Sequence, residues 1–195
     1  EWNAVVKDPA KAKLKIALAF PDTYEIGMSH LGLRILYHLL NQQEDYLVER
    51  VFAPWTDMER ELRKHSLPLC SLENHLPIGE FDVLGFSLQY ELSYTNLFTI
   101  LDLGRIPLRS GDRGDHHPFI IAGGPCAFNP EPIADFIDAF LIGDGEEAFP
   151  EMLKLFATLR EKKGGSEPRL SRKTLCTETA RIPGWYVPSL YSTVA

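Results

Sequence analysis

Cysteine is scarce in this 195-residue chain: Cys70, Cys126 and Cys176 stand about fifty residues apart. The number is odd and no Cys-x-x-Cys pair occurs. This excludes a disulfide framework and a local zinc or iron–sulfur cradle. Such usage suits a reducing cytoplasm. Positive charge is also short, with 20 Lys and Arg against 27 Asp and Glu and a formal net charge of −7. A basic face for phosphate backbones is therefore lacking, which argues against nucleic acid as a direct partner. No apolar run approaches the roughly 18 residues that a membrane helix needs. No secretory signal opens the sequence, so a cytoplasmic location is expected. Gly-x-Gly-x-x-Gly does not follow the first strand candidate, and Gly-x4-Gly-Lys-Ser/Thr occurs nowhere, so dinucleotide and P-loop readings lose their main support. His-Glu-x-x-His, a Ser-His-Asp set and paired catalytic carboxylates are all missing. The segment is expected to be catalytically silent alone, its chemistry residing in a cofactor or in a further part of a longer protein. A start at Glu1-Trp2-Asn3 rather than Met fits such a piece.

What is present suits one soluble domain with a full core, at 45% hydrophobic and 24% charged residues. Apolar runs alternate with helical patterns. Lys15–Phe20, Tyr46–Phe52, Phe81–Leu88, Phe119–Ala122 and Ala139–Ile142 read as strands. Helices are expected over Ser29–Asn41 with Ser29 as N-cap, Trp55–His65, Tyr94–Leu103 and Glu146–Lys162. Five strands alternating with helices imply a three-layer, Rossmann-like α/β fold. The expected form is a flavodoxin-like, doubly wound parallel sheet of five strands in the order 2-1-3-4-5. Residues 1–162 would form this domain. Residues 163–195 would follow as a linker, Lys163–Pro168, and a short extended segment around Ile182–Pro188. The loop Ser110–His117 carries His116 and His117, but adjacent histidines on a strand-like loop point apart. A solvated turn is expected there rather than a metal site.

The centre of organisation is Phe119–Glu147. Two buried strands each end in glycine, at Gly123-Gly124-Pro125 and at Gly143-Asp144-Gly145. Glycines at strand ends let a ligand or another backbone approach closely. In open α/β sheets ligands bind outside the carboxyl ends of the strands. The loops 22–27, 87–93, 123–129 and 143–146 would meet at that crevice.

These motifs resemble the cobalamin-binding-type domain that precedes the catalytic barrel in cobalamin-dependent radical S-adenosylmethionine (radical SAM) proteins. The family pattern is Asp-x-His-x-x-Gly in the first loop, a Ser near the end of the third strand, Gly-Gly-Pro after the fourth and Gly-Glu-Gly-Glu after the fifth. Here Asp22–Gly27, Ser87, Gly123-Gly124-Pro125 and Gly143-Asp144-Gly145-Glu146 occupy those places in order, within residues 15–160. The resemblance implies cobalamin binding by Asp22, Tyr24, Gly27, Ser87, Gly123, Gly124, Pro125, Gly143 and Gly145. Tyr24 stands where the family's cobalt-ligating His would be, so the implied binding has no His on the metal, and no other metal ligand is expected. Cys126 reads as a small packed residue. The resemblance further implies S-adenosylmethionine and a 4Fe–4S cluster in the full-length parent only, with the chain's own C-terminal radical SAM domain as partner. A cofactor-free interaction module that keeps the fold is the alternative, with Tyr24 and Phe128 filling the crevice.

Overall fold

The computed structural model describes residues 3–162 and 170–191. The expected linker over residues 163–168 lies outside the described residues. In chain order the elements are β1 (Leu14–Phe20), α1 (Tyr24–Gly27), α2 (Leu31–Asn41), β2 (Tyr46–Phe52), α3 (Thr56–Lys64), β3 (Val83–Ser87), α4 (Tyr94–Leu103), β4 (Phe119–Gly123), β5 (Ala139–Leu141), α5 (Gly145–Lys162), α6 (Arg172–Thr179) and β6 (Trp185–Tyr186). Short 3-10 turns fill much of the rest, among them Pro125–Phe128 and Glu131–Phe136.

The sheet has six strands in the order β2-β1-β3-β4-β5-β6. This corrects the expectation of a five-stranded, wholly parallel sheet. The first five strands are parallel, and β6 adds antiparallel to β5 through the pairs Phe140↔Tyr186 and Leu141↔Trp185. The segment expected to lie extended on the surface therefore belongs partly to the sheet. Two residues are too few to show a strand period, so nothing in their pattern could announce it.

Alternation along the strands divides the core. Leu14, Ile16, Leu18 and Phe20 of β1, Phe119 and Ile121 of β4, and Leu141 of β5 point to one face. There they meet Leu33, Tyr37 and Leu40 of α2 and Phe149, Met152 and Phe156 of α5. Leu84, Phe86, Ile120 and Phe140 point to the other, against Leu97, Ile100 and Leu101 of α4. Helices on both faces of a mostly parallel sheet make the three-layer α/β arrangement.

β2 is an edge strand, yet all seven of its residues are buried. Residues 71–74 cover its outer side. Leu72 N–H donates to Arg50 O at 2.9 Å, and the buried Arg50 guanidinium pairs with Glu73 at 2.7 Å. Glu49 accepts from Asn74 Nδ2 at 2.6 Å and from the Ser71 hydroxyl. Occupied donors and acceptors keep this edge from pairing with another chain.

At the amino end of the sheet, the Asp138 carboxylate accepts from Ile120 N–H at 2.7 Å and from Arg113 Nη1 at 3.2 Å, and pairs with Arg172 Nη1 at 2.5 Å. Arg172 opens α6, so this charge triad fastens that helix to the sheet. Among the described residues no helix is long and apolar enough to cross a membrane.

Candidate functional site

The carboxyl ends of the strands frame a cleft of about 200 Å3 on the face that carries α2 and α5. Leu18 of β1, Gly85 of β3, Ile121 of β4 and Leu141 of β5 form its floor, and Leu33, Leu36 and Phe149 form its helical walls. Trp185 of β6 closes one side. Ser87, Gln89, Gly123, Gly124, His30 and the Gly143–Glu146 turn rim it with polar groups. Apolar walls with a few polar groups at the rim are the usual build of a small-molecule site. The volume falls below the roughly 300–1,000 Å3 that encloses a drug-sized ligand. A volume of this size is of the order of a single ring system rather than a whole cofactor.

Ser87, Gly123, Gly124, Gly143 and Gly145, all expected at the site, line this cleft. Gly143 has φ of +129°, and a side chain added there would meet nothing within 4 Å. Gly124 also has positive φ, +99°, but the space beside it is taken: a Cβ would lie 2.7 Å from the Leu88 carbonyl oxygen. Its missing side chain lets the third and fourth strand-end loops cross, and Cys126 N–H donates to that same carbonyl at 3.2 Å. The Ser87 hydroxyl accepts from Gln89 Nε2 at 3.0 Å. Pro125 opens the 3-10 turn behind Gly124 and does not line the cleft.

The first loop diverges from it. Tyr24 packs edge-on against Phe52, with ring centroids 5.6 Å apart, and lines a separate concavity with Trp55, Met58 and Leu67. Phe128 is 70% exposed. The expectation that Tyr24 and Phe128 would fill the crevice does not describe this molecule. Gly27 serves packing, since a Cβ there would sit 2.4 Å from the Phe52 ring. Asp22 is buried, caps Thr23 N–H at 2.8 Å and accepts from the Tyr90 hydroxyl. That hydrogen bond, with burial, pushes the Tyr90 phenol up. Burial likewise pushes the Cys126 thiol up, and pushes Tyr94 beside it up to about 12. A thiol held in that form is packed rather than poised to attack.

Three features of the cleft were not anticipated. Trp185 comes from far along the chain. Gln89 lies over Gly124. His30, not the expected Ser29, is the N-cap of α2: Leu33 N–H donates to His30 Nδ1 at 3.1 Å, while Ser29 Oγ turns back to Ile26 O. A statistical preference for Ser at N-caps hid this. Gly32 supplied the available signal, a poor helix former just after a possible cap. Asp144 and Glu146 place carboxylates at the mouth, near the start of α5. Among the described residues no group of three or more His, Cys, Asp and Glu side chains could hold a metal ion.

The family model described as "Radical SAM proteins, N-terminal" matches residues 32–188. The uncharacterized protein MJ0966 of Methanocaldococcus jannaschii is 30% identical over 132 residues, which cover 67% of this chain and 24% of that protein. The chain thus spans about a quarter of the length of the curated relative it matches.

Proposed function

This chain belongs to the radical SAM N-terminal domain family, and from that premise we propose that it is an accessory domain holding cobalamin by its nucleotide tail for a radical SAM catalytic domain elsewhere in the same protein. The observation that carries the reading is the strand-end cleft, whose size admits one ring system and whose mouth opens above the sheet. The apolar floor of Leu18, Ile121 and Leu141 suits a flat base, and the rim at Ser87, Gln89 and Gly143 suits the polar atoms of a nucleotide. The corrin would rest outside, over the loops that carry Asp22 and Gly27. No nitrogen ligand for cobalt comes from the first loop, because Tyr24 occupies that sequence position and lies against Phe52. When bound, cobalamin supplies a cobalt centre for methyl-group and one-electron chemistry. The chain's own residues bind and orient it. In this reading residues 1–162, closed on one side by Trp185 of β6, form the ligand-binding unit. The chain beyond β6 would lead toward the catalytic domain, where S-adenosylmethionine and a 4Fe–4S cluster would reside.

The test is titration of the 15N-labelled chain with hydroxocobalamin and cob(II)alamin, followed by absorbance and electron paramagnetic resonance. Retained cobalamin without hyperfine coupling to a protein nitrogen is expected. Failure to retain it at high micromolar concentration sinks the cobalamin reading, and a protein 15N coupling sinks its His-free part.

A second reading, a cofactor-free interaction module, is favoured by one feature. The exposed side chains of Tyr24, Trp55, Met58 and Leu67 surround a second concavity of about 570 Å3. Apolar groups gathered in this way suit contact with another protein surface. Loss of cobalamin retention together with shielding of Trp55 in the full-length protein would select it.

A further inference from the structure

We propose that His30 is the ligand-recognising residue of the strand-end cleft, donating its Nε2–H to an acceptor atom on an uncharged heteroaromatic ring, and that it is not a metal ligand. The inference deepens the reading above and rests on it for the identity of the ring, here the base of a nucleotide tail.

Three restraints fix the imidazole at the cleft. Leu33 N–H donates to Nδ1 at 3.1 Å. Phe20, buried at the end of β1, lies against the ring with centroids 5.0 Å apart and planes tilted by 40°. Gly32 leaves room for it, since an added Cβ would lie 3.0 Å from His30 Cε1 and 3.6 Å from Nδ1. Glycine is a poor choice inside a helix. Its presence one residue into α2 breaks a local rule, and what it yields is the space that the His30 ring occupies.

The cap sets the chemistry. A ring nitrogen that accepts a hydrogen bond carries no proton, so the proton of the neutral ring is on Nε2. Among the described residues Nε2 has no hydrogen-bond partner, and the ring lines the cleft. The cleft therefore has, on a lining residue whose ring is held in place, a donor with no partner among the described residues, beside an apolar floor. Coordination of a metal through Nε2 would need the ring proton to move to Nδ1, where it would face the Leu33 N–H and cost α2 its cap. The same surroundings narrow the ligand class. Asp144 and Glu146 line the cleft, so a ring that is itself anionic is disfavoured inside it. A neutral ring with a nitrogen or oxygen acceptor satisfies the donor, the apolar walls and the acidic residues together.

The experiment uses the 195-residue chain and its His30→Asn and Gly32→Ala variants, with 5,6-dimethylbenzimidazole and hydroxocobalamin as separate probes. Histidine side-chain 15N spectra of the free protein should report the Nε2–H form for His30. Addition of dimethylbenzimidazole should shift Nε2 and leave the Leu33 amide in place. His30→Asn keeps a short acceptor for the cap but withdraws the donor. Its melting temperature should stay near that of the parent while affinity falls about tenfold, the loss of one hydrogen bond. Gly32→Ala should push the ring aside and weaken binding about as much in a chain of equal or greater helix stability. An Nδ1–H form of His30, or unchanged affinity in both variants, overturns the proposal. Binding of dimethylbenzimidazole through His30 without retention of hydroxocobalamin would sink the cobalamin reading and support His30 as the donor. Retention of hydroxocobalamin with no response at His30 would do the reverse, and silence toward both probes would overturn both.

Discussion

The hydroxyl of Tyr90 donates to the Asp22 carboxylate, joining the carboxyl ends of the adjacent strands β1 and β3. Asp22 is one of the residues that the resemblance implies for cobalamin binding. Here its partners are Tyr90 and the Thr23 N–H. The pair is a strap across the rim of the sheet. Tyr90→Phe removes one donor and leaves the other, so the loss should be that of a single hydrogen bond, about 1 kcal/mol. Urea denaturation measures it directly, and a variant as stable as the parent would show that the strap contributes nothing.

Two glycines of the cleft should respond in opposite ways. At Gly124 an added Cβ meets the Leu88 carbonyl at 2.7 Å on a backbone with φ of +99°. Gly124→Ala should cost about 2 kcal/mol or more, through strain and overlap. At Gly85 the added atom would lie 3.4 Å from Ile121 and 3.6 Å from Phe149, ordinary contact distances. Gly85→Ala should leave stability equal or slightly higher, because the unfolded chain loses freedom. It should also narrow the floor and weaken hydroxocobalamin binding several-fold. Thermal melts paired with binding titrations separate the two sites. Equal destabilisation by both variants would contradict the geometry.

Asp138 sits between two arginines at the opposite end of the sheet, and the Arg113 side chain is fully buried. Asp138→Ala leaves that guanidinium without its carboxylate. The expected cost is about 3–5 kcal/mol, the penalty for stranding a buried charge. Amide exchange should show α6 opening along with it. If α6 amides stay as protected as in the parent, the triad is not what fastens the helix.

Alkali offers a fourth test. Burial is the main cause that pushes both Tyr37 and Tyr94 up to about 12, from an unfolded value of 10.0. A group whose folded value is raised gives stability that is complete below the unfolded value and fades as pH climbs through the folded one. Stability should thus hold to about pH 10 and decline toward pH 12. The rise in tyrosinate absorbance should lag behind that of the urea-unfolded chain. Tyr37→Phe should flatten the decline. Coincident titration of folded and unfolded chains would remove the basis for it.

Much of the architecture could be read from runs such as Phe119–Ala122 and Ala139–Leu141, where both neighbours along the strand are apolar because both faces of the sheet are covered. The glycine-ended strands likewise pointed to the crevice, and Ser87, Gly123, Gly143 and Gly145 do line it. Other features depend on contacts that no local pattern encodes. Gly124 gives no hint that the Leu88 carbonyl fills the space beside it. Tyr24 follows Asp22 by two residues, yet the short helix α1 turns it toward Phe52 and the second concavity. Trp185 shows neither period nor motif, and only the pairing of β6 with β5 brings it to the cleft.

That pairing bears on biosynthesis. A growing chain releases its amino-terminal residues first, and domains fold as they emerge. The five parallel strands all precede residue 142, so the bulk of the sheet can assemble while residues beyond it are still being added. The wall formed by Trp185 reaches its place only afterwards, descending beside Leu141. Until then the cleft stays open on its β5 side. A ligand could enter laterally during synthesis, whereas in the finished fold Trp185 stands on that side.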